Sequence, residues 1–256
     1  ITSPTNTSPI PISISLSEPL LGFEVESISV ENGTVGDLTG SGLEYAFEIT
    51  PSYTDTIKVV FSEGSVTDSA YNDLIVNDLN IFYYTYPKVL SMTPDVSTIT
   101  WQNKEFEFNF SDKLDPATLT DENIIISTLH SSGLNPVYTY KPRSKILIIN
   151  LENSFVTTDT VSITLKGSLT NKYGYGFDGN SDGTPGDDYS KSYHVAMLGD
   201  YDTTGVLDLL DLTALMVQGF KDKDYSYELG PYTGTVPHYI STPDLSYDEK
   251  DLMAFG

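Results

Sequence analysis

Alternation of apolar and polar residues with a period of two constrains this chain more than any other feature. In PISISLSEP, Ile12, Ile14 and Leu16 alternate with Ser13, Ser15 and Ser17, the pattern of a strand with one buried face. Similar runs follow at FEVESISV, LEYAFEI and IKVVF, separated by NGTVG, TGSG and TPSYTDT. The style repeats from about Pro87: Phe106, Phe108 and Phe110 alternate with Glu107 and Asn109, and VYTY, KILIINL and VSITL supply later strands. One helical turn is expected at DPATL. Short strands joined by Gly, Ser and Asp turns predict a mainly β chain built as two tandem β-sandwiches of roughly 100 residues each. The opening ITSPTNTSPIP, with prolines at 4, 9 and 11, reads as an extended linker or edge segment.

Composition narrows the function classes. Thirteen basic residues face thirty-six acidic ones, a formal charge of -23, so the field repels nucleic acid and anionic lipid and attracts cations. Residues 1–86 carry twelve acids and one lysine, Lys58, whereas residues 87–198 carry thirteen acids and nine basic residues. This shift marks a domain boundary near residue 86. No cysteine occurs, which removes disulfides, thiolate nucleophiles and cysteine metal sites. No apolar run approaches the roughly 18 residues of a membrane span. The chain starts at Ile1 without a signal sequence, as expected of a processed protein or a piece of one.

From Gly199 the period changes. Leu209, Leu212, Leu215 and Met216 recur at helical spacing, with Asp208 as a plausible N-cap and Gly219 as a plausible C-terminal stop. A second short helix is expected at DEKDLMAF. The acidic stretch DYDTTGVLDLLD precedes the first helix. A calcium loop takes hard oxygens from positions 1, 3, 5, 7, 9 and 12, with glycine at 6; here these are Asp200, Asp202, Thr204, the Val206 carbonyl, Asp208 and Asp211, with Gly205 sixth. Thr204 and Asp211 depart from the usual acid or amide at 5 and glutamate at 12. The same residues also suit a bland reading, an acidic turn that caps a helix.

Two further stretches share this grammar in part. DGNSDG places Asp178, Asn180 and Asp182 in alternation with Gly183 sixth and Asp187 and Asp188 downstream; it reads as a calcium loop or as a plain Asx-rich turn. TPDLSYDEKD offers Asp244, Ser246, Asp248 and Asp251 at positions 5, 7, 9 and 12 of a loop starting at Ile240. Positions 1 and 3 are then Ile240 and Thr242 and position 6 is Leu245, so this loop reads as folded but poor in metal ligands. GNSDG formally matches a G-x-S-x-G nucleophile elbow. That reading is rejected, because the elbow needs a strand-to-helix turn and a histidine partner.

These residues carry resemblances. GDYDTTGVLDLLDLTAL resembles the first loop–helix unit of a dockerin module, STPDLSYDEKDLMAF resembles a decayed second unit, and YELGPYTGTVPHY is similar to the spacer between them. The resemblance covers about residues 199–256 and implies calcium at Asp200, Asp202, Thr204, Asp208 and Asp211. NTSPIPISISLSEPLLGF, VENGTVGDLTGSGLEYAFEITP and SVTDSAYND are similar to bacterial Ig-like repeats of secreted adhesins, although Tyr71 stands where that family usually has glycine. PKVLSMTP, FEFNFSDKLDPATLTDENI and LTNKYGYGFDGNSDG resemble a second bacterial Ig-like type, found in surface-layer and surface-anchored proteins. The organisation expected is therefore an Ig-like sandwich at 1–86, a second at 87–198 and a small α-helical dockerin-like module at 199–256.

Such families imply stiff extracellular rods, often calcium-dependent, without catalysis. The leading expectation is a secreted, cell-surface structural protein: a rod, adhesin segment or self-assembling filament subunit whose partners are calcium and either further copies or neighbouring surface-protein domains. The proline-rich start could lend an edge strand to a neighbouring subunit. The rival is a module that docks onto a cohesin in a secreted enzyme or scaffold complex. An enzyme comes third: His130, His194 and His238 are scattered, and carboxylate pairs prove nothing in so acidic a chain. Sequons at Asn6, Asn32 and Asn109, the single Trp101 and eighteen tyrosines point to no particular chemistry.

Overall fold

The computed structural model describes residues 3–61, 66–75 and 78–255; part of SVTDSAYND (Ser65) and the first two residues of the proline-rich start lie outside them. The chain folds as two compact units, Ile1–Tyr86 and Pro87–Gly256.

The first unit holds β1 (Ile10–Ser15), β2 (Leu20–Leu21), β3 (Ile28–Glu31), β4 (Gly33–Val35), β5 (Thr39–Ser41), β6 (Glu44–Pro51), β7 (Asp55–Phe61), β8 (Thr67–Asp68) and β9 (Leu79–Tyr83). One sheet runs β1-β6-β4 with β5 also on β6; another runs β3-β7-β9. The alternation does its expected work. Ile10, Ile12, Phe47 and Ile49 from the first sheet and Ile28, Ile57, Val59 and Ile81 from the second are buried in one cluster, while the intervening Ser and Glu side chains stay outside. FEVESISV is only half strand: Val25–Ser27 form a 3-10 turn before β3. Before β1, Thr5 makes a parallel bridge to Tyr83, donating to Phe82 O and accepting from Tyr84 N. The proline-rich segment thus pairs at Thr5 with β9 of its own unit.

The second unit begins with β10 (Val89–Thr93), β11 (Thr98–Ile99), β12 (Glu105–Phe110), β13 (Ile124–Thr128), β14 (Pro136–Lys141), β15 (Ile146–Leu151), β16 (Thr160–Leu165) and β17 (Tyr189–Val195). Its sheets run β10-β12-β15-β14 and β11-β17-β16-β13. Phe106 lies opposite Ile149 and Phe108 opposite Leu147, so three phenylalanines of β12 enter the core, each fully buried. Trp101 is also fully buried there, and the DPATL turn forms at Pro116–Thr118, capped by the Asp115 carboxylate on Ala117 N.

The rest of the chain supplies α1 (Leu209–Ala214), a wider π-type turn at Leu215–Lys221, the hairpin β18 (Tyr232–Thr235) and β19 (His238–Ser241), and α2 (Glu249–Phe255). This segment is not a separate body. Leu215 and Leu229 belong to the same buried cluster as Trp101 and Phe106, Gln102 Nε2 donates to Glu228 O, and Thr157 exchanges hydrogen bonds with Tyr239. Asp208 caps α1 in a full capping box with Asp211. Gly219 differs from its expected role as a helix stop. The helical turns run past it to Lys221, and a Cβ there would lie 2.8 Å from the Tyr247 ring. Glycine is needed for close approach at this position, not for a left-handed cap.

Candidate metal centre

The first acidic loop is built around a buried carboxylate. Asp200, 1 % exposed, accepts from Thr204 N through Oδ1 (3.1 Å) and from Gly205 N through Oδ2 (3.0 Å). Asp202 Oδ1 also accepts from Thr204 N. For the backbone to point both amides inward, Thr203 and Gly205 adopt φ of 58° and 83°, which glycine does without strain. The chain then enters α1, whose third residue, Asp211, is again 1 % exposed. Its Oδ1 accepts from Tyr201 N and its Oδ2 from Asp208 N. One carboxylate oxygen from each of Asp200, Asp202 and Asp211 lies within 4.8 Å of the others.

This arrangement is electrostatically unfavourable as it stands. Like charges at such distances repel by on the order of 3 kcal/mol per pair at an effective dielectric of about 20. Burial first, and then the neighbouring Asp211 and Asp202, push the Asp200 carboxyl above its ordinary range, against the opposing pull of the Gly205 and Thr204 amides. Among the described residues no lysine or arginine pairs with any of the three. Hard, converging oxygens without a protein counter-ion fit a divalent cation such as calcium. Thr204 Oγ1 lies near the Val206 carbonyl. Asp208 is turned toward the helix, accepting from Leu210 N. The side chains of Leu207 and of Phe255 on α2 both lie beside Gly199.

The second stretch repeats the same scaffold. Asp178, 3 % exposed, accepts from Asp182 N and Gly183 N, and Asn180 Oδ1 accepts from Asp182 N. Ser181 and Gly183 take φ of 63° and 91°, in the same places as Thr203 and Gly205. The downstream acids do different work. Asp187 bridges Asp178 through the backbone, and Asp188 pairs with Lys166 at 2.5 Å, which holds its carboxyl below the usual range. Hydrogen bonds from Thr184 N and the Asn180 side chain hold Asp182 low as well.

The third stretch contains a residue that sequence reasoning missed. Glu228, fully buried, accepts from the backbone N–H groups of Asp244, Leu245 and Ser246. Asp251 Oδ1 accepts from Leu229 N and Gly230 N, and its Oδ2 from Asp248 N. Glu228 and Asp251 therefore stand where Asp200 and Asp211 stand in the first loop, and Leu245, with φ of 62°, takes the place of Gly205. The hairpin β18–β19 is inserted between the first and fifth loop positions, so no fixed twelve-residue spacing reveals Glu228. Ile240, at the first position by spacing, lies on β19 instead. A cation is already present: Lys250 Nζ lies 3.1 Å from Asp244 and 3.4 Å from Asp248.

The histidines lie in two places. His194 lies on β17. His130 and His238 stack with ring centroids 3.8 Å apart, and His238 Nδ1 lies 3.0 Å from Thr158 Oγ1, a packing contact between the sandwich and the inserted hairpin.

No curated protein matches the sequence. Among solved structures the chain is similar to the N-terminal part of the bacterial S-layer protein SbsC (18 % identity, TM-score 0.31, 44 % of this chain and 24 % of that one). It is also similar to a biofilm-associated protein BSP domain (13 % identity, TM-score 0.24, 75 % of this chain and 28 % of that one). The chain thus spans 24 % and 28 % of those structures' lengths. Two different family models described as bacterial Ig-like domains match residues 2–81 and 83–184, in agreement with the two sandwiches. Residues 2–81 and 83–184 of this chain are two tandem bacterial Ig-like domains.

Proposed function

We propose that this is a non-catalytic extracellular structural protein of a bacterial surface, a rod, adhesin segment or filament subunit, whose C-terminal segment is clasped by calcium. The observation that carries the calcium part is the convergence of Asp200, Asp202 and Asp211 within 4.8 Å, two of them buried and without a counter-ion. Calcium neutralises carboxylates that otherwise repel, so binding energy becomes folding energy. The 178–183 loop offers the same first-half scaffold and is a second, weaker site on this reading. In the third loop Glu228 and Asp251 join Asp244 and Asp248, with Lys250 competing for the place of the ion. Among the described residues no helix is long and apolar enough to cross a membrane.

Thermal unfolding with and without millimolar calcium, followed in parallel by electron microscopy, tests this reading. A calcium-dependent rise in Tm that Asp200→Asn abolishes supports the clasp, and ordered fibres support the filament form. Equal melting in calcium and in chelator removes calcium from the proposal.

One observation favours a second reading, a module that docks onto a cohesin partner. Leu209 and Leu210 at the start of α1 are 74 % and 68 % exposed, an apolar pair of the kind that marks contact surfaces. Capture of a purified cohesin, lost in Leu209→Ser, supports docking; absence of capture leaves the structural reading alone.

A further inference from the structure

With thirty-six acids for thirteen bases, a surface cation on this chain has carboxylates in abundance. Lys58, Lys166, Lys191 and Lys221 each pair with one, and Lys250 with two. The turn between β14 and β15 instead concentrates cationic charge. Its sequence, KPRSK, sets Lys141, Arg143 and Lys145 within five residues with no acid among them, and Arg143 is the single arginine of the chain. Lys141 and Arg143 are exposed, and among the described residues none of the three forms an ion pair.

The tip is held in shape. β14 and β15 pair as far as Lys141 opposite Ile146, Pro142 fixes its own φ, and Ser144 Oγ donates to Lys141 O. Lys145 turns the chain at φ 59°; its Nζ donates to Ser111 O at 2.8 Å and its carbonyl accepts from Phe110 N. A turn whose backbone is already fixed loses less entropy on docking than a loose one.

A complementary surface exists on the other unit. A concavity of the first sandwich is lined by the exposed Glu24, Glu26 and Asp37 together with Phe23 and Tyr45. The two rings meet edge to face at 4.9 Å. Carboxylates beside the half-buried Tyr45 ring suit a guanidinium, as a forked hydrogen-bond donor and as a cation over that ring.

We propose that the KPRSK tip of one molecule docks in the Glu24, Glu26 and Asp37 concavity of a second copy of this chain. The two surfaces differ, so the contact is heterologous and propagates into a filament or closes into a ring. This inference rests on the structural-subunit reading and names the contact by which copies join. Exposed ion pairs contribute little singly and are screened by salt, so the contact is weak, additive over several charges and sensitive to ionic strength.

Sedimentation velocity of the full chain over a range of concentrations, in millimolar calcium, tests it. Self-association is expected near 0.15 M NaCl, where a Debye length of about 8 Å screens the overall repulsion between two chains of charge -23, and is lost near 1 M NaCl, where that length falls to about 3 Å. Reversing the tip charges (Lys141→Glu with Arg143→Glu) or the cleft charges (Glu24→Lys with Glu26→Lys) weakens association by at least about tenfold. Mixing the two variants restores it, because each then presents a tip opposite in sign to the other's cleft. A wild-type monomer at all concentrations overturns the inference, as does a mixture that associates no better than its components. Either result, obtained with calcium-dependent melting intact, removes this contact while leaving the structural reading standing.

Discussion

At the scale of single residues, Asp159 on one side and Asp200 and Glu228 on the other respond to acid with opposite sign. Asp159 is fully buried and accepts from Leu129 N, His130 N, Ser131 N, Ser131 Oγ and Thr160 N. Burial alone pushes its carboxyl up, but these donors outweigh it and hold the group below its ordinary value. Its contribution is present above the unfolded carboxylate pKa of about 3.9 and is lost as pH falls through the lower folded value. Asp159→Asn replaces an all-acceptor group with one that offers an unwanted donor, so urea unfolding should show a loss of about 2–3 kcal/mol. Asp200 and Glu228 behave the other way. Burial raises both, with help from Asp211 and Asp202 in one case and Asp251 in the other. Their favourable contribution is full below the unfolded value and is lost as pH rises through the folded one. In chelator, the C-terminal segment should therefore gain stability as pH falls from neutral toward the ordinary carboxylate range of about 4. Trp101 reports this by fluorescence, since its ring lies 5.7 Å from Tyr201, the neighbour of Asp200. Calcium should reverse the trend, because protons then compete with the ion.

At the scale of elements, the sandwiches were legible and the loops only partly so. A period of two is a local property of the chain, so Phe106, Phe108 and Phe110 announce a buried face before any partner strand is known. The Asp200 and Asp178 loops were legible for a similar reason: donors and acceptors lie within six residues, as Asp200 with Gly205 and Asp178 with Gly183 show. Glu228 was not legible, since its partners at Asp244–Ser246 lie beyond an inserted hairpin and no periodicity spans such a gap. Gly219 misled because close packing against Tyr247 and a helix stop both call for glycine. The structure separates two kinds of glycine in these loops. A Cβ at Gly205 or Gly183 meets nothing within 4 Å, so alanine there costs only backbone strain, about 1–2 kcal/mol. At Gly179 a Cβ would lie 2.4 Å from the Asp187 carbonyl oxygen, where neither backbone can retreat without losing the bridge to Asp187. Gly179→Ala should cost more than about 3 kcal/mol, and parallel denaturant curves of the three variants would show the order.

At the scale of the molecule, the calcium ion proposed at Asp200 would be felt only as far as the packing that surrounds it is continuous. The first unit, Ile1–Tyr86, has its own buried cluster around Ile49, Ile57 and Phe47. The second joins its sandwich to the C-terminal segment through one continuous cluster, in which Leu215 and Leu229 pack with Trp101 and Phe106. A ligand at 100 times its Kd stabilises the cooperative unit that binds it by about 2.7 kcal/mol. For a unit of this size that shifts Tm by about 5–10 °C. Calorimetry of the full chain should therefore resolve two transitions, of which calcium moves one by that amount and leaves the other in place, with NaCl at matched ionic strength as the control for plain screening. The moved transition should carry the Trp101 fluorescence change, because that residue sits in the sandwich core and beside the loop at once. If calcium instead moved a small third transition and left the Trp101 signal unshifted, the shared cluster would not couple the tail to the sandwich. Stiffening by calcium would then stop at residue 199 and never reach the Ig-like domains.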